Sequence, residues 1–310
     1  MAKTINTVLG KLDVNELGET LCHEHVVCAN PSFQMAFGNK WIDMQEAERR
    51  AVELFSQAKR ECGVSTVVDG TPVDLYRDVN LIKSVSYKSG VNFIVSSGIY
   101  YSEELAVRRK NGELLSKFFI DECNNGIADS GIKPGILKCA TDRVGVTEVN
   151  EQLLSAIAIT HTETGLPIFA HNENKYKTAY QQLEVFKKYG VDLQKVIIGH
   201  CSDVDDIDYL SSVLDEGCYL GFDRIYPSAY EWQAQTIATL IEKGYGDKIL
   251  VSHDFYAYSD TSADKPMVIN PNRSFTIVHK KLLPKLEELG VGASKIKKLL
   301  VDNPKNFFAR

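Results

Sequence analysis

The sequence predicts an α/β protein of the (β/α)8 TIM barrel class. Eight short β-rich runs alternate with charged, amphipathic helical patterns along the 310 residues, which is the rhythm of βα units. Several runs, Val196-Ile197-Ile198 and Ile249-Leu250-Val251 among them, are apolar on both faces, as parallel strands covered by helices must be. No Gly-x-Gly-x-x-Gly follows a strand, so a doubly wound nucleotide-binding sheet has no support. No linker or low-complexity tract divides the chain, and residues 1–310 are expected to form a single barrel domain.

The first strand is predicted over 19–27 and contains Cys22-His23-Glu24-His25. A charged helix follows over 43–62, closed by Gly63. The second strand, 65–70, leads to a helix over 75–88. The third, 91–101, is followed by helical patterns over 103–110 and 116–130. The fourth, 134–140, carries Ile136-Leu137-Lys138-Cys139, and the helix over 149–164 ends at Gly165. The fifth strand is 166–171 with a helix over 177–188. The sixth is 195–200 with a helix over 205–215. The seventh is 219–222 with a helix over 231–243. The eighth is 248–254, and helices near 275–289 and 294–301 close the chain.

Composition excludes several classes of function. The chain is 44% hydrophobic and 25% charged, an ordinary globular mixture. Its net charge is −6, with no basic run interleaved with aromatics, so nucleic acid is not an expected partner. No stretch reaches the roughly 18 apolar residues of a membrane span, and residues 1–10 lack the apolar centre of a secretory signal. The seven cysteines are scattered, with no Cys-x-x-Cys; reduced thiols and a cytoplasmic location are expected.

Barrel chemistry sits at the C-terminal ends of the strands. The first strand brings His23 and His25 there, two apart and on one face. The fifth ends in His171, the sixth in His200 and the eighth in Asp254. Four of the seven histidines thus gather at strand ends, a donor set suited to a borderline divalent metal. Asp254 reads as a ligand and as the proton acceptor for a metal-activated water. Lys138 lies inside an apolar strand and must snorkel, pair or lose its proton. Three roles stay open on residue chemistry alone: a carbamate bridging two metals, an ion pair with a carboxylate, or a Schiff-base amine. His253 should face away from Asp254, as a core or supporting residue. His161 and His279 fall on helices and read as structural.

The constellation resembles the phosphotriesterase family of the amidohydrolase superfamily. The similarity runs from Thr7-Val8-Leu9-Gly10 and Leu17-Gly18-Glu19-Thr20-Leu21-Cys22-His23-Glu24-His25 through Gly135-Ile136-Leu137-Lys138-Cys139-Ala140. It continues in Val196-Ile197-Ile198-Gly199-His200-Cys201-Ser202-Asp203, Ser252-His253-Asp254 and Leu300-Val301-Asp302-Asn303-Pro304. The resemblance implies two divalent metal ions, zinc first, with manganese, cobalt or iron(II) suiting the same donors. It implies one metal on His23, His25 and Asp254 and the other on His171 and His200. Lys138, as N6-carboxylysine, would bridge them together with a hydroxide that attacks a carbonyl or phosphoryl centre, Asp254 removing the proton. A homodimer would be similar to the family.

Gly98-Ile99-Tyr100-Tyr101 and Gly221-Phe222-Asp223-Arg224 resemble the lactonase-like branch, in which a tyrosine lies over the metals. Phosphotriesterases proper tend to have histidine where Arg224 stands. Arg224 and Asp203 would support Asp254, with Arg224 orienting the carboxylate or the leaving oxygen because it stays protonated. Departures also matter. Asn172-Glu173-Asn174-Lys175-Tyr176 is polar, and the segment 255–273 is long, a candidate lid. Lys175, Tyr176, Lys265 and Arg273 could hold an anionic substrate group; the alternative is solvated loop charges. Phe37 and Trp41 could wall the pocket or simply pack. The expected activity is hydrolysis of a lactone or related ester, with weaker attack on phosphotriesters. A sugar lactone, with or without phosphate, is a variant. A true phosphotriesterase, another carboxylic-ester or amide hydrolase, and a non-catalytic ligand-binding barrel are the alternatives.

Overall fold

The computed structural model describes residues 3–260 and 274–309; Lys265 and Arg273 lie outside the described residues. An N-terminal hairpin of β1 (Thr4–Thr7) and β2 (Gly10–Asp13) precedes the sheet. The barrel strands are β3 (Glu19–Cys28), β4 (Val64–Asp69), β5 (Asn92–Gly98), β6 (Ile136–Ala140), β7 (Ile168–His171), β8 (Val196–Ile198), β9 (Tyr219–Phe222) and β10 (Ile249–Val251). A short strand β11 (Tyr256–Ser259) follows. All nine sheet strands pair in parallel, in the order β10-β9-β8-β7-β6-β5-β4-β3-β11, with helices between them, as the TIM barrel class requires.

The eighth barrel strand differs from the continuous one predicted. It runs as β10 beside β9, breaks over residues 252–255, and resumes as β11 beside the C-terminal half of β3, with Tyr256 opposite His25. Asp254, at φ 51, makes the break. Its N–H donates to the His23 carbonyl (3.1 Å), and His25 N–H donates to the Phe255 carbonyl (2.6 Å). These bonds tie the break to β3.

Alternation along the strands separates two apolar layers. Val67, Leu137, Ile168, Val196, Leu220 and Ile249 pack outward against the helices. Val68, Ile94, Ile136, Phe169, Ile197, Tyr219 and Leu250 form an inner plug with Ile5 of the hairpin and Phe307 of the last helix. The inner positions nearer the C-terminal ends turn polar: Lys138 lies two residues beyond Ile136, His171 two beyond Phe169, and Asp223 four beyond Tyr219.

β3 reaches the same layer through a bulge. Its register against β4 slips by one residue between Leu21 and Glu24. Cys22 therefore joins the inner plug, and His23, its neighbour, also packs inward, on the Phe169 ring (4.2 Å); a bulge re-aims side chains in this way.

The helix Met44–Cys62 shows how local signals place the outer layer. Asp43 caps its first turn, Gly63 ends it in the left-handed region, and Ala47, Ala51, Leu54, Phe55 and Ala58 form its buried stripe. Two helical expectations are corrected. Residues 103–110 form isolated turns, because the Glu104 carbonyl takes the Val107 and Arg108 N–H groups and the only buried side chain there is Val107, too little to stabilise a helix. The helix expected from residue 75 starts at Val79 behind the Asp78 cap, which frees residues 70–77 to shape the site. Pro31–Phe37 is a short helix the periodicity did not indicate. Phe37 and Trp41 pack with Phe33, and Trp41 Nε1 donates to Asp260 (2.7 Å). Among the described residues no helix is long and apolar enough to cross a membrane.

Candidate metal centre

His23 and His25 leave β3 side by side, with ring centroids 5.0 Å apart. Each has one ring nitrogen occupied by a support. His23 Nδ1 donates to Asp223 Oδ2 (2.7 Å), and His25 Nδ1 lies 2.7 Å from Thr71 Oγ1. That leaves both Nε2 atoms facing the barrel mouth, within 3.5 and 3.2 Å of Asp254 Oδ1. Fixing one nitrogen to orient the other is what a metal-ligating histidine needs.

His171 ends β7, and His200 follows β8 in a left-handed conformation (φ 58). A non-glycine residue held there marks a position set by its surroundings. Here the holder is Asp223, whose Oδ1 accepts the His200 backbone N–H (2.6 Å) and lies 3.2 Å from its Nδ1. His200 Nε2 then meets His171 Nδ1 at 2.5 Å. Lys138 stands between the two histidine pairs. It is 1% exposed, its Nζ lies 2.9 Å from His23 Nε2 and 4.3 Å from the Phe169 ring centre.

Three of the donors, His23, His171 and Asp254, are held in the forms a metal would bind. Burial pushes the His23 imidazole down to about 3, helped by the Lys138 charge. Burial, then the neighbouring His200 and Arg224, hold His171 well below the ordinary imidazole range. Burial lowers the Lys138 amine to about 8. For Asp254, burial alone would raise the carboxyl; His23, His200, His25 and Arg224 outweigh it and hold it well below the carboxylate range. Asp223 is likewise held low by His200 and His23 against its burial.

His23, His25 and Asp254 each bring a donor atom to within 4.8 Å of the others, as do His23, His200 and Asp223. The second grouping uses the Nδ1 side of both rings. Asp223 is better understood as their common support, since its two oxygens are taken up by His23 and by His200. The imidazole and carboxylate set fits borderline divalent metal ions.

Arg224 lies beside Asp254, and Asp203 beside Arg224. Arg224 Nε donates to Asp254 Oδ2 and its Nη1 to Asp203 Oδ2, both at 2.8 Å. The Tyr100 hydroxyl lies 3.0 Å from His171 Nδ1 and 3.2 Å from Nε2. A cavity of about 150 Å³ opens over these groups, with Cys28, Leu75, Tyr100 and Tyr256 completing its wall. Lys175 and Tyr176 are exposed on the turn after β7 and do not line it. The polarity of that turn has another use: Asn172 and Asn174 both donate to the Gly199 carbonyl, at 2.8 and 2.9 Å.

Sequence reasoning assigned no role to Asp223, Thr71 or Glu24. Asp223 was visible only as one residue of the Gly221-Phe222-Asp223-Arg224 motif. Glu24 sits between the two histidines on the opposite face. Its Oε1 accepts from Ser252 Oγ (2.8 Å), His253 N (3.0 Å) and His253 Nδ1 (2.6 Å), and its Oε2 from Phe255 N (2.9 Å).

A TIM barrel with imidazoles and a carboxylate converging at its strand ends is the architecture of a hydrolase with a candidate metal site. The chain belongs to the phosphotriesterase family, whose sequence profile matches residues 3–308. It is 33% identical over 319 residues to the phosphotriesterase homology protein of Mycobacterium tuberculosis, covering 99% of this chain and 98% of that protein. It is 30% identical over 308 residues to the aryldialkylphosphatase of Saccharolobus solfataricus, covering 96% and 97%. A solved structure of the phosphotriesterase from Mycobacterium tuberculosis superposes with a TM-score of 0.93 at 34% identity, covering 98% of both chains. More distantly, the N-acetyltaurine hydrolase of Danio rerio is 22% identical over 346 residues.

Proposed function

We propose that the protein is a binuclear-metal hydrolase that opens a lactone or a related carboxylic ester, with weaker activity toward phosphotriesters. In this reading His23, His25 and Asp254 would hold one metal, His171 and His200 the other, and Lys138, as its carbamate, would be a ligand shared between them. Bound divalent metals supply a hydroxide nucleophile at neutral pH and polarise the scissile bond. Lys138 suits the carbamate role because its amine is buried beside His23 Nε2 and burial makes it easier to deprotonate than an ordinary lysine. Asp254 is the proton acceptor, oriented by Arg224 Nε at its Oδ2. Arg224 stays protonated, so it orients Asp254 and passes no proton on. Tyr100 stands beside the substrate position. Lys175 and Tyr176 are at most outlying contacts for an anionic group, a role for which Arg273 also remains a candidate.

The observation that carries the choice of substrate is the cavity. At about 150 Å³, walled by Leu75, Tyr100 and Tyr256, it is below the roughly 300–1,000 Å³ of pockets for drug-sized ligands. A compact lactone ring suits it better than a triester bearing three substituents. The relation to an aryldialkylphosphatase supports the second reading, a true phosphotriesterase.

A pH-indicator assay of the metal-loaded protein separates the two. It compares simple γ- and δ-lactones, acyl-homoserine lactones, sugar lactones with and without phosphate, and an aryl phosphotriester. Highest kcat/KM on a lactone supports the proposal. A triester preferred over every lactone overturns it in favour of the second reading.

A further inference from the structure

The chain leaving β5 is pinned at three successive residues. Gly98 (φ 145) brings the backbone against Lys138, close enough that an added Cβ would stand 1.9 Å from the Lys138 carbonyl oxygen. The next N–H, of Ile99, donates to that carbonyl (3.2 Å). The N–H after that, of Tyr100, donates to Asp74 Oδ1 (2.9 Å). Asp74 belongs to the Val73–Leu75 turn after β4, and the turn is itself held at the site. The Leu75 carbonyl accepts the Ala29 N–H beyond β3 (3.2 Å), and Leu75 lines the cavity. Beyond the pins, the Tyr100 ring meets the His171 ring edge-on at 4.8 Å.

Asp74 is an expensive way to satisfy one N–H. Its second oxygen, Oδ2, is buried with no hydrogen-bond partner. Burial pushes the carboxyl up to about 6, and an unsatisfied buried polar atom costs stability. A neutral acceptor would cap Tyr100 without that penalty. Polar groups kept at such cost beside a site signal a positional requirement.

We propose that Asp74 is a positioning residue, which sets Tyr100 across His171 and acts on the reaction only through Tyr100. The proposal rests on the reading of this cavity as the reaction site. It assigns the loop after β4 two supporting contacts, Thr71 on His25 and Asp74 on Tyr100, one toward each half of the donor set.

The test uses the metal-loaded protein and the variants Asp74→Ala, Asp74→Asn and Tyr100→Phe, with Tyr100→Phe also placed in the Asp74→Ala background. Asp74→Ala is expected to lose roughly tenfold or more in lactone kcat/KM, the scale of a misplaced pocket group, at unchanged metal content. Asp74→Asn, which keeps an acceptor oxygen, is expected to stay within about threefold of the parent. Tyr100→Phe should cost much less in the Asp74→Ala background than in the parent, as coupled residues do. Independently of turnover, amide exchange at Tyr100 should accelerate in Asp74→Ala while Ile99 stays protected. Parental kcat/KM in Asp74→Ala, losses that multiply in the double variant, or metal lost from Asp74→Ala would each overturn the proposal. A parent that hydrolyses neither lactones nor esters would defeat the functional reading alone, and Tyr100 exchange would still decide whether Asp74 holds that residue.

Discussion

Glu24 holds His253 through a 2.6 Å bond from Nδ1–H to Oε1, with both side chains almost wholly buried. His253 Nε2 accepts the Val278 N–H (3.1 Å), so the imidazole is the neutral Nδ1–H tautomer. Glu24 thereby ties the barrel break over residues 252–255 to the middle of β3 and, through Ser252 Oγ, to the His23 N–H (3.1 Å). Glu24→Gln keeps one acceptor but turns an amide NH2 toward either Phe255 N–H or the His253 donors, at a cost of about 1–3 kcal/mol. Glu24→Ala leaves all four donors unmet and, at about 1–3 kcal/mol for each buried unsatisfied group, should cost more than Glu24→Gln. Urea unfolding of the metal-free variants checks both; parental stability in Glu24→Ala would refute the closing role.

Asp223 makes the equivalent prediction for the donors. It accepts from His23 Nδ1 and from His200 N, and it fixes which nitrogen of each ring faces Lys138 and His171. Asp223→Asn can satisfy only one of these with an acceptor oxygen. Supports of this kind typically contribute 10–100-fold to metal affinity. Competition with a chromophoric chelator should show a loss of about that size with the far-UV spectrum unchanged. Unaltered affinity would mean that the rings are held by packing.

How much of this was legible from the chain depends on range. His23, His25, Lys138, His171, His200 and Asp254 could be grouped because strand ends and side-chain parity are local properties. Asp223 and Glu24 could not, because each acts across a large separation, 200 residues for His23–Asp223 and 229 for Glu24–His253. Nor does hydropathy report the sign of φ, which hid the turns at His200 and Asp254. The bulge at Cys22-His23 preserved the one-face argument for His23 and His25 while moving Cys22 to the same side. The alternating residues of 103–110 looked helical because a short run carries no record of which side chains find a surface to cover.

The proposed carbamate at Lys138 predicts reconstitution that depends on CO2 and on pH. Carbamate formation needs the free amine, and burial lowers this one to about 8. At pH 6 only about 1% of such an amine is unprotonated, and at pH 9 most of it is. Metal-free protein mixed with Zn2+ at a fixed concentration of dissolved CO2 should therefore recover activity faster as pH rises through 8. Lys138→Ala should recover little unless a short carboxylate is supplied. Equal recovery with and without bicarbonate at pH 9, in CO2-depleted buffer, would argue against the carbamate.

His161 gives a stability prediction of the opposite kind. Its Nδ1–H donates to the Leu166 carbonyl (2.7 Å), and its Nε2 accepts the Asp192 N–H (3.2 Å), so the ring must be neutral. Burial lowers its pKa, and the unfolded chain therefore takes up the proton first as pH falls. The contribution is fully present above the ordinary value near 6.5 and is lost as pH drops through it toward the folded value. Between pH 7 and 5 the parent should lose more stability than His161→Gln. Parallel losses would place the acid sensitivity elsewhere.

Gly98 offers the sharpest test of how β5 meets β6. Adding a Cβ at Gly98 would put it 1.9 Å from the Lys138 carbonyl oxygen, in a backbone (φ 145) that side-chain-bearing residues rarely adopt. Relief requires β5 and β6 to part at the residue that carries Lys138, and the Ile99 bond to the Lys138 carbonyl breaks with them. The backbone conformation alone costs about 1–3 kcal/mol for such a residue, and the clash adds to it. Gly98→Ala should unfold at lower temperature and, where folded, bind metal more weakly, because Lys138 moves relative to His23. Gly131→Ala is the control: its φ of 68 lies in the milder left-handed region that Tyr76 and His200 also occupy, and an added Cβ there meets nothing within 4 Å. A Gly98→Ala protein no worse than Gly131→Ala in melting temperature and metal affinity would show that β5 can move from Lys138 without consequence.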